Sequence, residues 1–136
     1  MPSIFSKIIA GQIPGQFVFR DELWVAILDI RPVAPGHALL IPLAEAQHLA
    51  ELPAPTLAAL GDRLARLTAA VKAATGAPAV NVVVNDGPAA GQEVPHAHVH
   101  VIPRFADDGR RLAWTATPYA DGELAAWATK VRAAWR

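Results

Sequence analysis

The sequence predicts an α+β domain, a five-stranded antiparallel sheet with one long helix and short flanking helices. Three observations predict it. Five short segments rich in branched and aromatic residues lie between turn residues. One apolar stripe recurs at helical spacing over several turns, and the connections suit antiparallel pairing.

The elements follow in order. Ser3 is placed to cap a short helix whose Ile4, Phe5, Ile8 and Ile9 form an apolar stripe, with Gly11 and Pro14 as its stop. Gln16 to Arg20 and Leu23 to Asp29 read as a hairpin across Asp21 and Glu22. Arg31 to Gly36 is a turn-rich connection, and His37 to Ile41 is a third strand ended by Pro42. Leu57, Leu60, Leu64, Leu67 and Val71 mark the long helix, started by Pro53-Ala54-Pro55-Thr56 and stopped by Gly76. Val80 to Asn85 is a fourth strand, broken by Asp86-Gly87-Pro88. A small-residue loop then leads into a fifth strand, His96 to Ile102, closed by Pro103. Leu124, Trp127, Val131 and Trp135 suggest a last amphipathic helix.

With 136 residues, 53% of them hydrophobic and 18% charged, the chain suits one packed domain: a core of 1–104 and a C-terminal extension of 105–136. Twelve basic and twelve acidic residues cancel, which argues against duplex nucleic acid or an anionic membrane as partner. The absence of cysteine excludes disulfides, thiolate metal sites and cysteine nucleophiles, and it fits a reducing compartment. Residues 1–7 carry no secretion pattern, and no stretch reaches the roughly 20 apolar residues of a membrane span. The expectation is a cytoplasmic protein.

Three of the five histidines are His96, His98 and His100. On a strand they share one face, about 6.6 Å apart at Cα for a rise near 3.3 Å per residue, while Ala97, Val99 and Val101 take the other. Two chemistries suit such a row. A neutral imidazole can attack phosphorus while protonated neighbours neutralise phosphate oxygens. Alternatively the histidines hold a metal, with Asp86, Glu93 or His37 completing the ligand set. The loop from Gly87 to Gln92 offers close backbone approach at its glycines and an amide donor at Gln92.

The segment from Gly91 to Arg104, with its His-x-His-x-His core followed by Val101 and Ile102, resembles the signature of the histidine triad (HIT) family. Ser3 to Ile9 resembles the opening of the Hint branch. Arg31 to Leu39 and Asn85 to Gln92 are similar to segments of Hint and Fhit proteins. The resemblance implies the HIT fold and a homodimer whose two sheets join into one of ten strands. It also implies cleavage of nucleoside phosphoramidates or dinucleoside polyphosphates through a nucleotidyl-histidine, with a purine nucleotide substrate and no cofactor.

By the same resemblance His98 is the nucleophile, oriented at Nδ1 by the carbonyl near His96. His100 and Gln92 contact the phosphate, and His37 and His96 complete the polar network. Asn85 and Gly91 lie on the phosphate side. Glu93 departs from the resemblance, since Hint proteins carry a serine there; a carboxylate facing a phosphate is unfavourable, so its backbone N–H is expected to face the anion while the side chain turns away. Asp29 binds the ribose hydroxyls, and Ile4, Phe5, Ile8, Ile27, Ile30 and Leu39 line the base pocket. His48 is expected to be an ordinary surface residue. Many bacterial members hold a structural zinc on two cysteines and a histidine. Ser3, Ser6 and Glu45 stand at those positions here, so no metal is expected. Two rivals remain open: a metal-dependent enzyme built on the same histidines, and a nucleotide-binding regulatory module with incidental turnover.

Overall fold

The computed structural model describes all residues, 1–136. Helix α1 spans Ile4–Ile9, α2 Ala54–Thr75 and α3 Glu123–Ala134. The strands are β1 Phe17–Arg20, β2 Trp24–Leu28, β3 Ala38–Pro42, β4 Ala79–Val83 and β5 Val99–Arg104. They form one sheet in the order β1-β2-β3-β5-β4, with every neighbouring pair antiparallel. The predicted fold class is the observed one.

The sheet has two unlike faces. On one, Trp24, Ala26, Leu40, Val99 and Val101 pack against Leu67 and Val71 of α2. The Trp24 indole N–H donates to Thr56 O at 3.0 Å, which satisfies the one polar atom of a fully buried side chain. On the other, Val25, Ile27, Leu39 and Ile41 meet Phe5 of α1. The α2 boundaries follow the expected signals: Pro53 is the N-cap, and Gly76 ends the helix at φ 73°, a conformation that glycine adopts without strain. The buried face departs from the expected stripe at its start, since Thr56 is buried and Leu57 faces out.

Both boundaries of β5 correct the sequence reading, and β4 ends at Val83, two residues short of the expected Asn85. Pro103 does not close β5; it pairs with Val80, and the strand runs on to Arg104. β3 pairs with β5 only from Ala38↔Val101 to Leu40↔Val99, so Pro103 lies beyond that ladder and takes no hydrogen bond from it. At its other end β5 begins at Val99, because the β4 register stops at Val83↔His100 and the β3 register at Leu40↔Val99. His96, Ala97 and His98 therefore precede the ladder, and Ala97 N–H donates to Ala46 O at 2.7 Å instead. Helix α3 forms where expected, but Leu124, Trp127 and Val131 are all exposed and Trp135 lies past its end.

Candidate active site

A cleft of about 390 Å³ opens where α1, the end of β2, the 29–37 turn and the start of β5 converge. Its lining includes His37, His98, His100, Asp29, Asn85, Gly91 and Glu93, with Ile4, Phe5, Ile8, Ile27, Ile30 and Leu39. Most of the expected site residues are thus brought together. The apolar wall comes from α1 and from alternate residues of β2 and β3 (Ile27 and Leu39), which are cross-strand partners. Ile30 is 89% exposed and stands at the rim rather than in the wall.

Hydrogen bonds to the backbone assign the ring protons. His98 Nδ1 lies 2.7 Å from His96 O, and a carbonyl only accepts, so Nδ1 carries the proton and Nε2 holds the lone pair. A second chain of bonds runs the other way. Val33 N–H donates to His37 Nδ1 at 3.0 Å, which leaves the His37 proton on Nε2. His37 Nε2–H then donates to His100 Nδ1 at 3.0 Å, so neutral His100 keeps its own proton on Nε2. The His98 and His100 rings sit 4.9 Å apart at their centroids. The pair offers one lone pair and one N–H donor, the complement that attack on a phosphoryl group requires.

Charge in the site departs from the expectation of protonated neighbours. Burial pushes the His100 imidazole down to about 4, helped by neighbouring His98 and His37 and opposed by Asp29. Burial also holds His37 below its usual value against the pull of Asp29, and holds His98 down against its bond to His96 O and the pull of Asp29. These rings are neutral at pH 7. Neutral His100 can therefore offer its Nε2–H as a hydrogen-bond donor, without a positive charge.

Two expected residues sit elsewhere. His96 is fully buried behind the cleft, with Nε2–H donated to Pro42 O at 2.8 Å and Nδ1 2.7 Å from Ser3 Oγ. The three imidazoles consequently do not share one cleft. Gln92 has its amide engaged inside the protein: Nε2 donates to Gln47 O at 3.0 Å and Val94 O at 2.9 Å, and Oε1 accepts from Gly87 N at 2.8 Å. It shapes the 87–92 loop and has no free donor for a phosphate. The Glu93 carboxylate turns to solvent, 3.8 Å from Arg31 across the cleft mouth. His48 is more than a surface residue, since its Nδ1 lies 2.8 Å from Asp86 Oδ1 at the root of that loop.

A HIT domain model matches residues 10–107. The chain belongs to the HIT family. It is 39% identical over 105 residues to the adenylylsulfatase HINT3 of Arabidopsis thaliana, a match covering 77% of this chain and 53% of that protein. It is 33% identical over 105 residues to a bis(5'-adenosyl)-triphosphatase of Saccharomyces cerevisiae, covering 76% of this chain and 50% of the relative. The chain thus spans about half the length of these two curated relatives. A crystal structure of a HIT family member from Bacillus subtilis superposes with TM-score 0.92 at 30% identity, covering 100% of this chain and 99% of the other.

This HIT chain offers one constellation of metal-ligating type in the cleft, Asp29, His37 and His100, whose ligand atoms lie within 4.8 Å of one another. The His37 proton opposes its use. A metal on Nε2 would need the lone pair there and the proton on Nδ1, where Val33 already presents an N–H. At the positions where the resemblance puts a structural zinc, Glu45 accepts the Ser3 N–H and the Ser6 hydroxyl, and the Ser3 hydroxyl meets the His96 Nδ1; two hydroxyls stand in place of thiolates and leave one carboxylate and one imidazole as the only good zinc donors. Sequence reasoning missed the Val33 N–H and Ile13 to Gly15, which also line the cleft. At Gly15 a Cβ would come within 2.7 Å of Ile8 Cγ2, so any larger residue would force Ile8 to shift where this segment closes on α1.

Proposed function

We propose that this HIT protein is a nucleotide hydrolase or nucleotidyl transferase acting through a covalent intermediate on His98. The observation that carries the reading is the fixed tautomer of His98, whose Nδ1–H is held by His96 O in a cleft shared with the His100 donor. The Nε2 lone pair attacks the α-phosphorus, a P–N bond forms, and the bond from phosphorus to the leaving group breaks. The leaving group departs with that electron pair, is hydrogen-bonded by His100 Nε2–H and takes its proton from solvent. Water then attacks phosphorus, the P–N pair returns to Nε2, and the water's proton passes to solvent. The Asp29 carboxylate, whose Oδ1 already accepts Arg31 N–H at 2.8 Å, has Oδ2 left for a ribose hydroxyl.

The names of two relatives, an adenylylsulfatase and a bis(5'-adenosyl)-triphosphatase, support an adenosine nucleotide as substrate. Exhaustively chelated protein is to be assayed on an adenosine phosphoramidate, adenylyl sulfate, diadenosine triphosphate and diadenosine tetraphosphate. Turnover of at least one is expected without added metal. Activity that vanishes on chelation and returns with one equivalent of zinc would establish the metal-dependent alternative; tight nucleotide binding with no turnover would establish the regulatory module. Pairing of two copies into a dimer belongs to the same reading, and sedimentation at micromolar concentration tests it.

A further inference from the structure

His96 and His98 are the part of the site that the sheet does not hold. β5 begins at Val99, and the His96 backbone N–H reaches only Val94 O, two residues back, at 2.8 Å. What pins His96 is its ring, bonded at both nitrogens. Pro42 O can only accept, so Nε2 carries the proton, Nδ1 holds a lone pair, and the Ser3 hydroxyl donates to it at 2.7 Å. Ser3 Oγ also accepts Ser6 N–H at 3.0 Å as the N-cap of α1. The Ser3 N–H donates to both oxygens of Glu45, at 3.2 and 3.1 Å, and the Ser6 hydroxyl donates to Glu45 Oε2. Phe5, on the same turn, meets the His96 and His98 rings edge-on at 5.8 and 4.9 Å. The cap of α1 is thereby bonded, without a gap, to the residue whose carbonyl holds the nucleophile.

We propose that Ser3 and Glu45 are positioning residues for His98, forming a metal-free brace from the cap of α1 through the His96 ring to the His96 carbonyl that accepts His98 Nδ1–H. The proposal rests on His98 being the nucleophile. Glu45 sets the first turn of α1, Ser3 sets the His96 ring, and the His96 carbonyl sets the direction of the His98 lone pair. Rate depends on that direction far more than nucleotide affinity does.

Ser3→Gly separates this role from capping, because glycine is itself an acceptable N-cap but has no hydroxyl to donate. Ser3→Thr keeps both functions. The full-length protein labelled with ¹⁵N-histidine gives the His98 Nδ1–H resonance and the His96 tautomer by NMR. Single-turnover kinetics give the rate of nucleotidyl-histidine formation, and titration gives the affinity for AMP. In Ser3→Gly the His98 Nδ1–H resonance is expected to shift or broaden. The transfer rate falls about tenfold or more, AMP affinity holds to within about twofold, and Ser3→Thr restores both signals. Glu45→Gln, which leaves the Ser3 hydroxyl in place, is expected to give a smaller loss of the same kind and serves if Ser3→Gly does not fold. An unchanged resonance and an unchanged transfer rate in a folded variant would overturn the brace. If no nucleotide ever labels wild-type His98, the functional reading fails, and the NMR comparison still decides the brace alone.

Discussion

The two faces of β5 carry the same backbone and opposite duties. Val99 and Val101 point to a dry layer under the 22 residues of α2, with Leu67 and Val71 above them. His100, and His98 just before the strand, point to a cleft beside a helix of six residues. A strand's period of two makes this division possible, since neighbours in sequence never compete for one face. The long helix can cover its side completely. The short one covers only part of the other and leaves the cleft. The difference teaches that stability and chemistry are assigned to opposite sides of one strand, so single substitutions should separate them.

The largest separation is expected at His98. His98→Ala should lower turnover by several orders of magnitude while thermal unfolding stays close to wild type, because its ring bonds only one backbone carbonyl. On the other face Leu67→Ala should do the reverse. It empties a fully buried position and should cost about 2–5 kcal/mol by denaturant unfolding, with kcat/KM of the remaining folded protein little changed. A loss of turnover in Leu67→Ala as deep as in His98→Ala would break the comparison.

A smaller effect sharpens it through pH. Unfolded histidines titrate near 6.5, whereas burial, then His98 and His37, hold folded His100 down to about 4. Between these values the unfolded chain binds more protons, so stability should fall as pH drops from 6.5 toward about 4 and should be level in the histidine contribution above 6.5. The acid limb of kcat/KM should likewise lie below 6.5, since His98 is also shifted down. An acid limb above 6.5, read from a pH profile on chelated protein, would contradict neutral, buried rings.

The fold was legible because its signals are local and repeated: the stripe on α2, the Pro and Gly boundaries, and the branched and aromatic runs of the strands. The convergence of His98, His100, His37 and Asp29 on one cleft was legible too. The errors share one cause, which is that neighbours in space decide what a residue does. His96 looked like a cleft residue because alternation set its face but not its cover, and Phe5 and Ser3 cover it. Gln92 looked like a phosphate donor until the carbonyls of Gln47 and Val94 took its amide. The Val33 N–H that sets the His37 tautomer is a backbone group, and no side-chain pattern announces it. The apolar stripe of α3 was read correctly as a helix, yet periodicity does not say what covers it.

The most direct test of the central claim is to trap the intermediate. Chelated protein is mixed with an adenosine phosphoramidate or a diadenosine polyphosphate, quenched within a single turnover under alkaline conditions, and digested for peptide mass spectrometry. The account predicts one adenylyl group, labile to acid, on the peptide carrying His98, formed at a rate no slower than turnover and absent in His98→Ala. Steady turnover with no adduct on that peptide, or an adduct on His96 or His100 instead, would contradict it.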